Sequence, residues 1–493
     1  MKNVIIIGAG IAGLTAGIYA RMSGFETTIY ESHTITGGAS TSWKRKGYLF
    51  EGGMHWLTGS SPKTSLHKIW REVGALNDSV NVINRDPFFT LEHQGQTAYL
   101  YRDVKKLQQH FLEIAPEDRR EILRLCRDIR KFFSFQMPVT DIKGVEVKNK
   151  SSMSFTDILS MLPALPRMGF YAKMTAKTYA ERYKSPILKI MLQSIVGPDI
   201  NATGLLFTLA TLMSGDGGYP EGGSLAMDGR MAQYFESLGG RIEYKQFVDK
   251  VSVKDNMADG IIIGKKHIAA DAVIVTQDTL TAIDTLFDAP ISEPWANKMR
   301  EETVPMLNTF ISLGIKADLS DQPESLYFTL VSPIICAGIP QSVVGFNNYA
   351  TFKNYAPDGC TAMTTAIMGD SYDFWKQCKE NGTYAQEKQK LAEAYINALS
   401  NRIPGIADKI AVWDVATPLT YERYLHSYKG SWMTIMSGAQ PLIYPQKPET
   451  IENVYFAGQR LRSPGGLPMA ADSGRKAVQY LCLDTDTVFQ GNC

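Results

Sequence analysis

The first forty residues constrain the fold more than any other stretch, because a strand, a glycine-rich turn and a helix follow one another there without a gap. Val4–Ile7 is a run of β-branched residues, typical of a strand buried on both faces, and a Gly-x-Gly-x-x-Gly motif follows it directly. Gly8 permits a tight turn, Gly10 lets the backbone approach a diphosphate, and Gly13 lets the helix pack close to the strand. The residues of this turn that we expect to bind a dinucleotide are Gly8, Gly10, Ile11, Ala12 and Gly13.

A second strand and an acidic residue complete this unit. Glu26–Tyr30 has the composition of a strand, and Glu31 follows it, eighteen residues beyond Gly13. A carboxylate about twenty residues after the glycines is the group that binds a ribose hydroxyl in dinucleotide-binding folds. The free amides and the positive dipole end of the helix suit the diphosphate. The order of these elements predicts an α/β fold with a parallel sheet and a bound dinucleotide.

Length and composition exclude several other classes of protein. The chain of 493 residues is long enough for two domains, and its 51 basic and 50 acidic residues leave a net charge of +1, which does not favour nucleic acid as a partner. The six cysteines form no Cys-x-x-Cys pair and no cluster with the spacing of metal ligands. We therefore expect no metal site, no redox-active cysteine pair, and a reduced, cytoplasmic setting.

The segment after the ribose-binding carboxylate indicates which dinucleotide is bound. Two glycines, Gly37 and Gly38, lie six and seven residues beyond that carboxylate and precede the small residues Ala39 and Ser40. This resembles the Glu-x5-Gly-Gly segment of the large flavoprotein group that includes amine oxidases and carotenoid desaturases. The resemblance implies that these four residues lie against the diphosphate of FAD. Members of the group often carry a basic residue two positions before the first glycine, where this chain has Ile35.

The glycine-rich stretch Gly47–Gly59 comes next, and it is similar to the segment after the glycine pair in carotenoid desaturases and retinol saturases. Gly53–Trp56 matches the Gly-x-His-aromatic arrangement of the saturases. This resemblance implies that His55 donates a proton or hydrogen-bonds a polar end of the substrate. A histidine that bonds the backbone near the cofactor is the alternative.

Phe155–Met213 is apolar, contains several methionines and has the pattern of a series of helices. Between Arg167 and Lys189 it has six basic residues and the single acidic residue Glu181. Such helices are suited to cover a long lipid-like ligand and to rest on an anionic membrane surface. The alternative is an ordinary core with a solvated basic face. We expect Lys143–Ser154, which precedes these helices, to be a loop.

A second glycine-rich segment, Gly217–Ser224, has the composition of a turn and precedes a predicted helix, Leu225–Leu238. The strands that we predict after this helix are Arg241–Tyr244, Phe247–Val253, Gly260–Gly264 and His267–Val275. The order resembles the proline-glycine-glycine turn, helix and strand cluster by which carotenoid desaturases return to their FAD domain. The resemblance implies that Val248, on the second of these strands, contacts the adenine.

The C-terminal part contains the second strong motif. Asn453–Gly458 has the pattern of a strand that ends in a small residue and glycine, and Pro464–Ala471 leads into a helix through Val478. A helix N-terminus here would direct its amides at the flavin pyrimidine ring and stabilise the charge of the reduced ring. Many flavoproteins have Gly-Asp at the strand end, where this chain has Gly458 and Gln459. The residues of this segment that the resemblance places at the flavin are Gly458, Gln459, Leu467, Pro468 and Met469.

The resemblance covers nearly the whole chain and is to FAD oxidoreductases that include phytoene desaturases, carotenoid isomerases and retinol saturases (all-trans-retinol 13,14-reductases). It implies an α/β fold with a discontinuous Rossmann-type FAD-binding domain, glutathione reductase-like and three-layered, and an α+β substrate domain. We expect residues 1–75, 215–290 and 440–493 to form the FAD-binding domain. Residues 76–214 and 291–439 are expected to form the substrate-binding domain with its helical cap. The elements that we predict in the second of these stretches are strands at Asn308–Ile315, Ser342–Asn347 and Thr361–Met368 and a helix at Tyr384–Ile403.

The cofactor suggests the chemistry. A flavin takes or gives a hydride at a carbon–carbon bond, so the protein has only to hold the ring against the substrate and exclude water. We expect saturation, desaturation or isomerisation of a lipophilic polyene or isoprenoid, and His55 favours saturation. Because no second Gly-x-Gly-x-x-Gly precedes a helix, any NAD(P)H would visit the flavin transiently. The alternatives are a flavin amine oxidase and a non-catalytic escort protein of the same fold that binds prenyl groups or lipids.

Overall fold

The structure, a computed structural model, describes residues 2–148, 154–436 and 441–491. The α-helices in this part of the chain are Ile11–Met22, Ser65–Glu72, Val104–Ile114, Arg119–Lys131, Phe155–Met161, Leu165–Tyr171, Ala176–Ala180, Pro186–Val196, Ala202–Met213, Gly223–Ser237, Thr279–Thr285, Pro294–Glu302, Tyr372–Glu380, Tyr384–Arg402, Pro418–Leu425 and Leu467–Asp484. No helix among these residues combines the length and the apolar character that are needed to cross a bilayer.

Three distant pieces of the chain meet in one parallel sheet. Within the described ranges its five strands are, in spatial order, Arg241–Tyr244, Glu26–Glu31, Asn3–Ile7, Ala272–Val275 and Val454–Phe456. The β-branched run Val4–Ile7 is buried and lies at the centre, where it pairs with a strand on each side. A strand covered on both faces needs apolar side chains at every position, which explains why this run does not alternate.

This parallel sheet is the middle of three layers. On one face, Ile6 and Ile29 pack in a common core with the helices Ile11–Met22 and Leu467–Asp484. On the other face, Ile5 packs in a separate core with a small antiparallel sheet. The strands of the small sheet are Lys250–Lys254, Met257–Ile263 and Lys266–Ala269. The α/β, three-layer fold predicted from the sequence is thus confirmed.

A larger sheet forms a second core. In the described part of the chain its seven strands are, in order, Ile410–Ala416, Asn308–Ile315, Thr361–Met368, Ile339–Asn348, Ser325–Cys336, Thr90–His93 and Gln96–Tyr99. Leu313, Leu326 and Phe346 of this sheet pack against the helix Tyr384–Arg402. Between residues 291 and 439 the sequence pattern predicts three of these strands and misses two, Ser325–Cys336 and Ile410–Ala416. In Ser325–Cys336 the exposed and buried positions do not alternate regularly.

The helices that follow Met161, as far as Met213, pack with the helices Val104–Ile114 and Arg119–Lys131 around a third core, which includes Leu188 and Leu205. The remaining strands form small sheets and pairs: Ser42–Arg45 with Tyr48–Glu51; Leu57–Thr58 with Gly217–Pro220 and Val82–Ile83; Pro305–Met306 with Met433–Thr434; and Val147–Lys148 with Phe489–Gln490. The domain boundaries expected from the sequence stay a prediction.

Two predicted elements were wrong in the strand cluster. Gly217–Pro220 is a strand and not a turn, since it pairs with strands on both sides. His267–Val275 is two strands of different sheets, because the segment leaves the small sheet at Ala269 and joins the parallel sheet at Ala272. At this break the backbone N–H of Asp271 donates to the carbonyl oxygen of Asn3 at 2.9 Å.

Two further predictions need correction. Val248 precedes the strand Lys250–Lys254 and does not lie on it, so the predicted strand at Phe247–Val253 begins too early. The predicted loop at Lys143–Ser154 contains the short strand Val147–Lys148, which pairs with the chain near its C-terminus. Residues 149–153 of that loop lie outside the described residues.

Gly13 is the glycine whose replacement the fold tolerates least easily among those of the first motif. A Cβ at this position would overlap the carbonyl oxygen of Gly8 and would lie 2.9 Å from the hydroxyl of Thr276. The neighbouring backbone belongs to the central strand and its turn, so it has little freedom to move. Gly13 therefore acts through packing of helix on strand.

We expect Gly13→Ala to lower the melting temperature of the protein by several degrees, because overpacking a close-packed contact costs about 1–3 kcal/mol. Gly229→Ala is the matched control, since Gly229 is also helical but a Cβ there meets no atom within 4 Å. Thermal unfolding followed by circular dichroism measures both. Equal melting temperatures for the two variants would contradict the packing role of Gly13.

Candidate functional site

A single cavity of about 1180 Å³ connects the parallel sheet with the seven-stranded sheet. The predicted site residues that line it are Gly8, Gly10, Ile11, Ala12, Glu31, Gly37, Gly38, Ala39, Ser40, His55, Val248, Gly458, Gln459, Leu467, Pro468 and Met469. Gly13 does not line the cavity and supports it through packing. The fold thus brings together residues from three distant pieces of the chain, and the roles assigned to them individually stay predictions.

The two glycine motifs touch each other at the cavity wall. The backbone N–H of Gly37 donates to the carbonyl oxygen of Ala9 at 2.9 Å, and a Cβ on Gly38 would lie 3.2 Å from the Cα of Gly10. Gly8, Gly37 and Gly38 have φ angles of +99°, +116° and +60°, which side chains other than glycine rarely adopt. The wall is therefore bare backbone, which a diphosphate can approach closely.

Glu31 faces this wall with a carboxylate that is already oriented. Its Oε2 accepts a hydrogen bond from the backbone N–H of Ala9 at 2.7 Å, and its Oε1 accepts one from the N–H of His33 at 2.8 Å. Each carboxylate oxygen has further lone pairs. The arrangement leaves Glu31 able to accept from a ribose hydroxyl.

Several buried hydroxyl groups of the lining have no hydrogen-bond partner among the described residues, and those of Ser40 and Thr279 are two of them. Buried hydroxyl groups in proteins are nearly always paired, so these two are suited to a ligand with many polar oxygens. Together with the bare glycine backbone and the Glu31 carboxylate, they give a lining that fits the ribose and diphosphate of FAD.

The C-terminal helix, Leu467–Asp484, begins at the cavity. Its first residues Leu467, Pro468 and Met469 line the cavity, at the end of the helix where backbone amides have no partner within the helix. The Gln459 side chain holds the turn before this helix, because its Oε1 accepts from the N–H of Gly466 at 2.8 Å and its amide nitrogen donates to the carbonyl oxygen of Trp432. Gln459 thus uses its amide group to fix the helix start.

A buried ion pair beside this turn was not predicted from the sequence. The Nε of Arg460 donates to Asp278 at 2.7 Å, and other guanidinium nitrogens donate to Thr434 and Ser431 at 3.0 and 2.6 Å. Asp278 also caps the helix Thr279–Thr285. Arg460 and Asp278 both line the cavity, so their ion pair joins the C-terminal piece of the chain to the middle piece, residues 215–290, at the site.

His55 is half-buried and lines the cavity. Burial, with a smaller contribution from the cation of Arg85, lowers the pKa of His55 to about 4, so its imidazole is neutral near pH 7. Arg85 also donates to the carbonyl oxygen of His55 at 3.3 Å. In the described part of the chain the imidazole ring itself has no hydrogen-bond partner. The arrangement leaves the ring available to a ligand.

Glu51 fixes the loop that carries His55, a role that no motif in the sequence indicates. The fully buried Glu51 carboxylate accepts hydrogen bonds from the backbone N–H groups of Gly53 and Met54 at 2.9 and 3.1 Å. It also accepts from the N–H and the hydroxyl of Ser224 at 2.9 and 2.7 Å. Glu51 thereby ties the first piece of the chain to the helix Gly223–Ser237.

The far part of the cavity is lined mainly by apolar side chains from two sources. Met168 and Phe207 belong to the helices of Phe155–Met213, which we call the helical region, and Phe135 precedes these helices. Phe310 and Val343 belong to the seven-stranded sheet. The sequence predicts that the helices of Phe155–Met213 cover a ligand. Their residues do line this cavity, which gives room for a long apolar molecule.

Aromatic rings surround the opposite end of the cavity, near Glu31 and Val248. The rings of Phe247 and His426 are 5.0 Å apart, and both residues line the cavity. Burial lowers the pKa of His426, so this ring is neutral near pH 7. Phe247 remains 49% exposed, which leaves its ring free to stack on a base at the end that the sequence assigns to the adenine.

Comparisons with known proteins agree with this geometry. The sequence pattern of the family described as flavin containing amine oxidoreductase matches residues 11–482. The chain is 23% identical to a phytoene desaturase (lycopene-forming) of Pseudescherichia vulneris, over 98% of this chain and 100% of that protein. It is also 23% identical to a chloroplastic prolycopene isomerase of Daucus carota, over 98% of this chain and 80% of that protein.

Solved structures show the same fold. The cyclohexylamine oxidase of Brevibacterium oxydans IH-35A matches with a TM-score of 0.62 and 15% sequence identity, over 98% of this chain and 99% of that one. The predicted resemblance to flavin-dependent oxidoreductases is confirmed, and FAD is the cofactor.

We expect Phe247→Ala and His426→Ala each to weaken the binding of FAD about tenfold, because stacking on an aromatic ring contributes about 1–3 kcal/mol per base. Titration of the apoprotein with FAD, followed by flavin fluorescence, measures the dissociation constant. The affinity for FMN, which lacks the adenine, should not change. Trp413→Ala is the control, since Trp413 is 38% exposed and does not line the cavity. An equal loss of FMN affinity would contradict the stacking role.

Proposed function

The chain belongs to the family of flavin containing amine oxidoreductases and is an FAD-dependent oxidoreductase, and on that premise we propose that it saturates, desaturates or isomerises carbon–carbon bonds of a lipophilic polyene or isoprenoid. The observation that carries the proposal is the apolar far part of the cavity, which is continuous with the glycine-lined part. The similarity to a phytoene desaturase and a prolycopene isomerase supports the same substrate class.

The residues of the chain would bind, orient and exclude water. FAD supplies the exchange of a hydride with a carbon–carbon bond when it is bound. Phe310, Val343 and the helical region would hold an apolar chain beside the ring, where the absence of water favours hydride transfer. The helix that begins at Leu467 would stabilise negative charge on the reduced ring.

His55 would act as a neutral hydrogen-bond donor to a polar end of the substrate. An imidazole with a pKa of about 4 carries almost no extra proton near pH 7, so it is a poor source of one for a carbanion. Its ring lacks a partner within the described chain and lies at the cavity, which supports this assignment. The hydrogen-bonding role therefore takes precedence over direct proton donation.

Two partners belong to this proposal. NAD(P)H would reach the flavin transiently, as expected from the single Gly-x-Gly-x-x-Gly motif. A peripheral contact with a membrane would supply a substrate that has little solubility in water. The fold also supports amine oxidation, because cyclohexylamine oxidase shares it, and that reaction is the second candidate.

Anaerobic flavin spectroscopy of the purified protein tests the proposal. We expect retinol or a carotene to bleach the oxidised flavin if the protein desaturates, and to reoxidise the dithionite-reduced flavin if it saturates. Conversion of a cis polyene without net change of the flavin spectrum indicates isomerisation. Bleaching by cyclohexylamine or putrescine, with no response to any polyene, would replace the proposal by amine oxidation. No response to any of these compounds would count against both.

A cavity-filling variant provides the control for that experiment. Val343→Trp would obstruct the apolar part of the cavity and leave the glycine motifs untouched, so we expect flavin binding to persist and the response to polyenes to fall on the order of tenfold. Val331→Trp adds the same side chain at a fully exposed position outside the cavity and should not change the response.

The protonation of His55 gives a separate prediction. Because its pKa is lowered to about 4, His55 should lose its proton as the pH rises through about 4 and stay neutral from about pH 5 upward. Arg85→Gln removes a cation that disfavours the imidazolium, so we expect the pKa to rise, although burial should still keep it below the ordinary value. Arg85→Lys retains the charge and should leave the pKa low.

Titration of ¹³C-labelled histidine by NMR measures this pKa, and His55→Gln identifies the signal. A transition near the ordinary value of about 6.5 in the unaltered protein would contradict the neutral state that the structure indicates.

A further inference from the structure

One helical face of the protein carries large apolar side chains that none of the described residues covers. The helix Phe155–Met161 continues through Leu162–Ala164 into the helix Leu165–Tyr171. We call the exposed apolar residues of this region the apolar stripe; they are Phe155 (74% exposed), Ile158 (51%), Leu159 (46%), Leu162 (50%) and Leu165 (49%). The first four recur at the spacing of one helix face, so they form a continuous surface.

The apolar stripe is held in place by polar contacts at its base. Ser154 and Asp157 form a reciprocal capping box that fixes the start of the first helix. The hydroxyl of Ser134 donates to the carbonyl oxygen of Ser160 at 2.5 Å and attaches this helix to the end of Arg119–Lys131. Within Phe155–Met161 no residue is buried, so the apolar side chains of this helix do not serve to pack a core. Contiguous exposed apolar surface of this kind marks an interaction site.

The lining of the cavity includes residues beside the apolar stripe. Met168 and Gly169, on the second helix of the stripe, and Ala172 after it line the cavity, and Gly169 is also exposed to solvent. Phe135 and Met137 line the cavity from the neighbouring segment. An apolar molecule at the stripe is therefore close to residues that line the apolar part of the cavity.

The charges around the apolar stripe are mainly positive. Between residues 154 and 180 the only acidic residue is Asp157, which the capping box uses, whereas Arg167, Lys173 and Lys177 are basic. Lys173 and Lys177 are exposed. Basic residues beside an apolar helix face are the combination that binds membranes with anionic lipids.

We propose that the apolar stripe inserts into the surface of a bilayer that contains anionic phospholipids, with Lys173 and Lys177 at the headgroups. The proposal rests on the proposed function in one respect: a lipophilic substrate resides in the bilayer. In this proposal the exposed Gly169 marks the entry point at the acyl chains, and the substrate passes from the bilayer into the cavity without crossing water. The apolar stripe thus determines both the binding partner, an anionic bilayer, and the route by which the substrate enters the cavity.

Sedimentation of the FAD-loaded protein with lipid vesicles tests the proposal. We expect binding to vesicles of phosphatidylcholine and phosphatidylglycerol, and weaker binding to phosphatidylcholine alone. The variant with Phe155→Ser and Leu162→Ser should bind the anionic vesicles on the order of tenfold more weakly, because two large apolar side chains no longer enter the bilayer. Lys173→Glu with Lys177→Glu should abolish the preference for phosphatidylglycerol.

The matched control is a second exposed apolar pair. Val331 and Ile335 are 105% and 56% exposed and lie outside the cavity, so Val331→Ser with Ile335→Ser removes as much exposed apolar surface elsewhere. This control should bind vesicles like the unaltered protein. Absence of vesicle binding by the unaltered protein, or equal losses in the stripe and control variants, would overturn the proposal.

Two further measurements separate the possible outcomes. Light scattering reports whether the stripe variant differs from the unaltered protein in oligomeric state. If the unaltered protein is a dimer that does not bind vesicles, and the stripe variant is a monomer, the apolar stripe contacts a second copy of the chain and the membrane proposal is overturned. The anaerobic flavin response to polyene in detergent solution should be the same in the stripe variant and the unaltered protein. A stripe variant that keeps this response but loses vesicle binding supports both proposals. If the unaltered protein binds vesicles but its flavin responds to no polyene, the result supports the membrane contact of the apolar stripe alone.

Discussion

The structure depends on the close packing of the first helix, Ile11–Met22, between the central strand and the last helix. Gly13 allows the approach on one side, and Gly474 allows it on the other, because a Cβ on Gly474 would overlap the carbonyl oxygen of Ala12. This double contact joins the two ends of the described chain in one layer. As a result, the start of the first helix and the start of the last helix, each with unpaired amides, lie at the same cavity.

The cavity combines two chemically different linings. Its glycine-lined part presents backbone and oriented polar groups, of which Glu31 is held by two backbone N–H groups. Its far part presents apolar side chains from the helical region and the seven-stranded sheet. A dinucleotide needs the first lining and a long apolar molecule needs the second, so the continuity of the two linings would bring the two ligands of the proposed function into contact. His55 lies at this cavity as a neutral group, which is the state that a partly apolar site favours.

The helices of Phe155–Met213 have two apolar surfaces with different partners. The inner surface packs in the core and lines the cavity through residues such as Met168 and Phe207. The outer surface, at the apolar stripe, faces solvent. A helix of an ordinary core needs only an inner apolar surface, and a helix at a membrane surface needs an outer one. A segment with both is suited to deliver a lipophilic molecule from outside to inside, and this is the physical link between the two proposals.

The sequence by itself determined the parts of this protein that depend on local geometry. A glycine with positive φ, a β-branched run and a helix start are properties of a few neighbouring residues, so the first motif, the Gly37–Gly38 pair and the C-terminal helix start could all be located from the chain alone. The resemblance then supplied the cofactor and the three-layer fold. Strand limits were less certain, as at Gly217–Pro220, because pairing with distant strands decides them.

Only the tertiary structure decided which distant side chains act together. Glu51 and Ser224, and Asp278 and Arg460, are 173 and 182 residues apart in the chain, and no pattern in the sequence relates one member of a pair to the other. The same holds for the low pKa of His55, which depends on burial and on the cation of Arg85. Hydrogen bonding and desolvation depend on distance in space. The sequence therefore predicted the glycine-rich wall of the cavity, whereas folding determined which side chains fix that wall and the protonation state of His55.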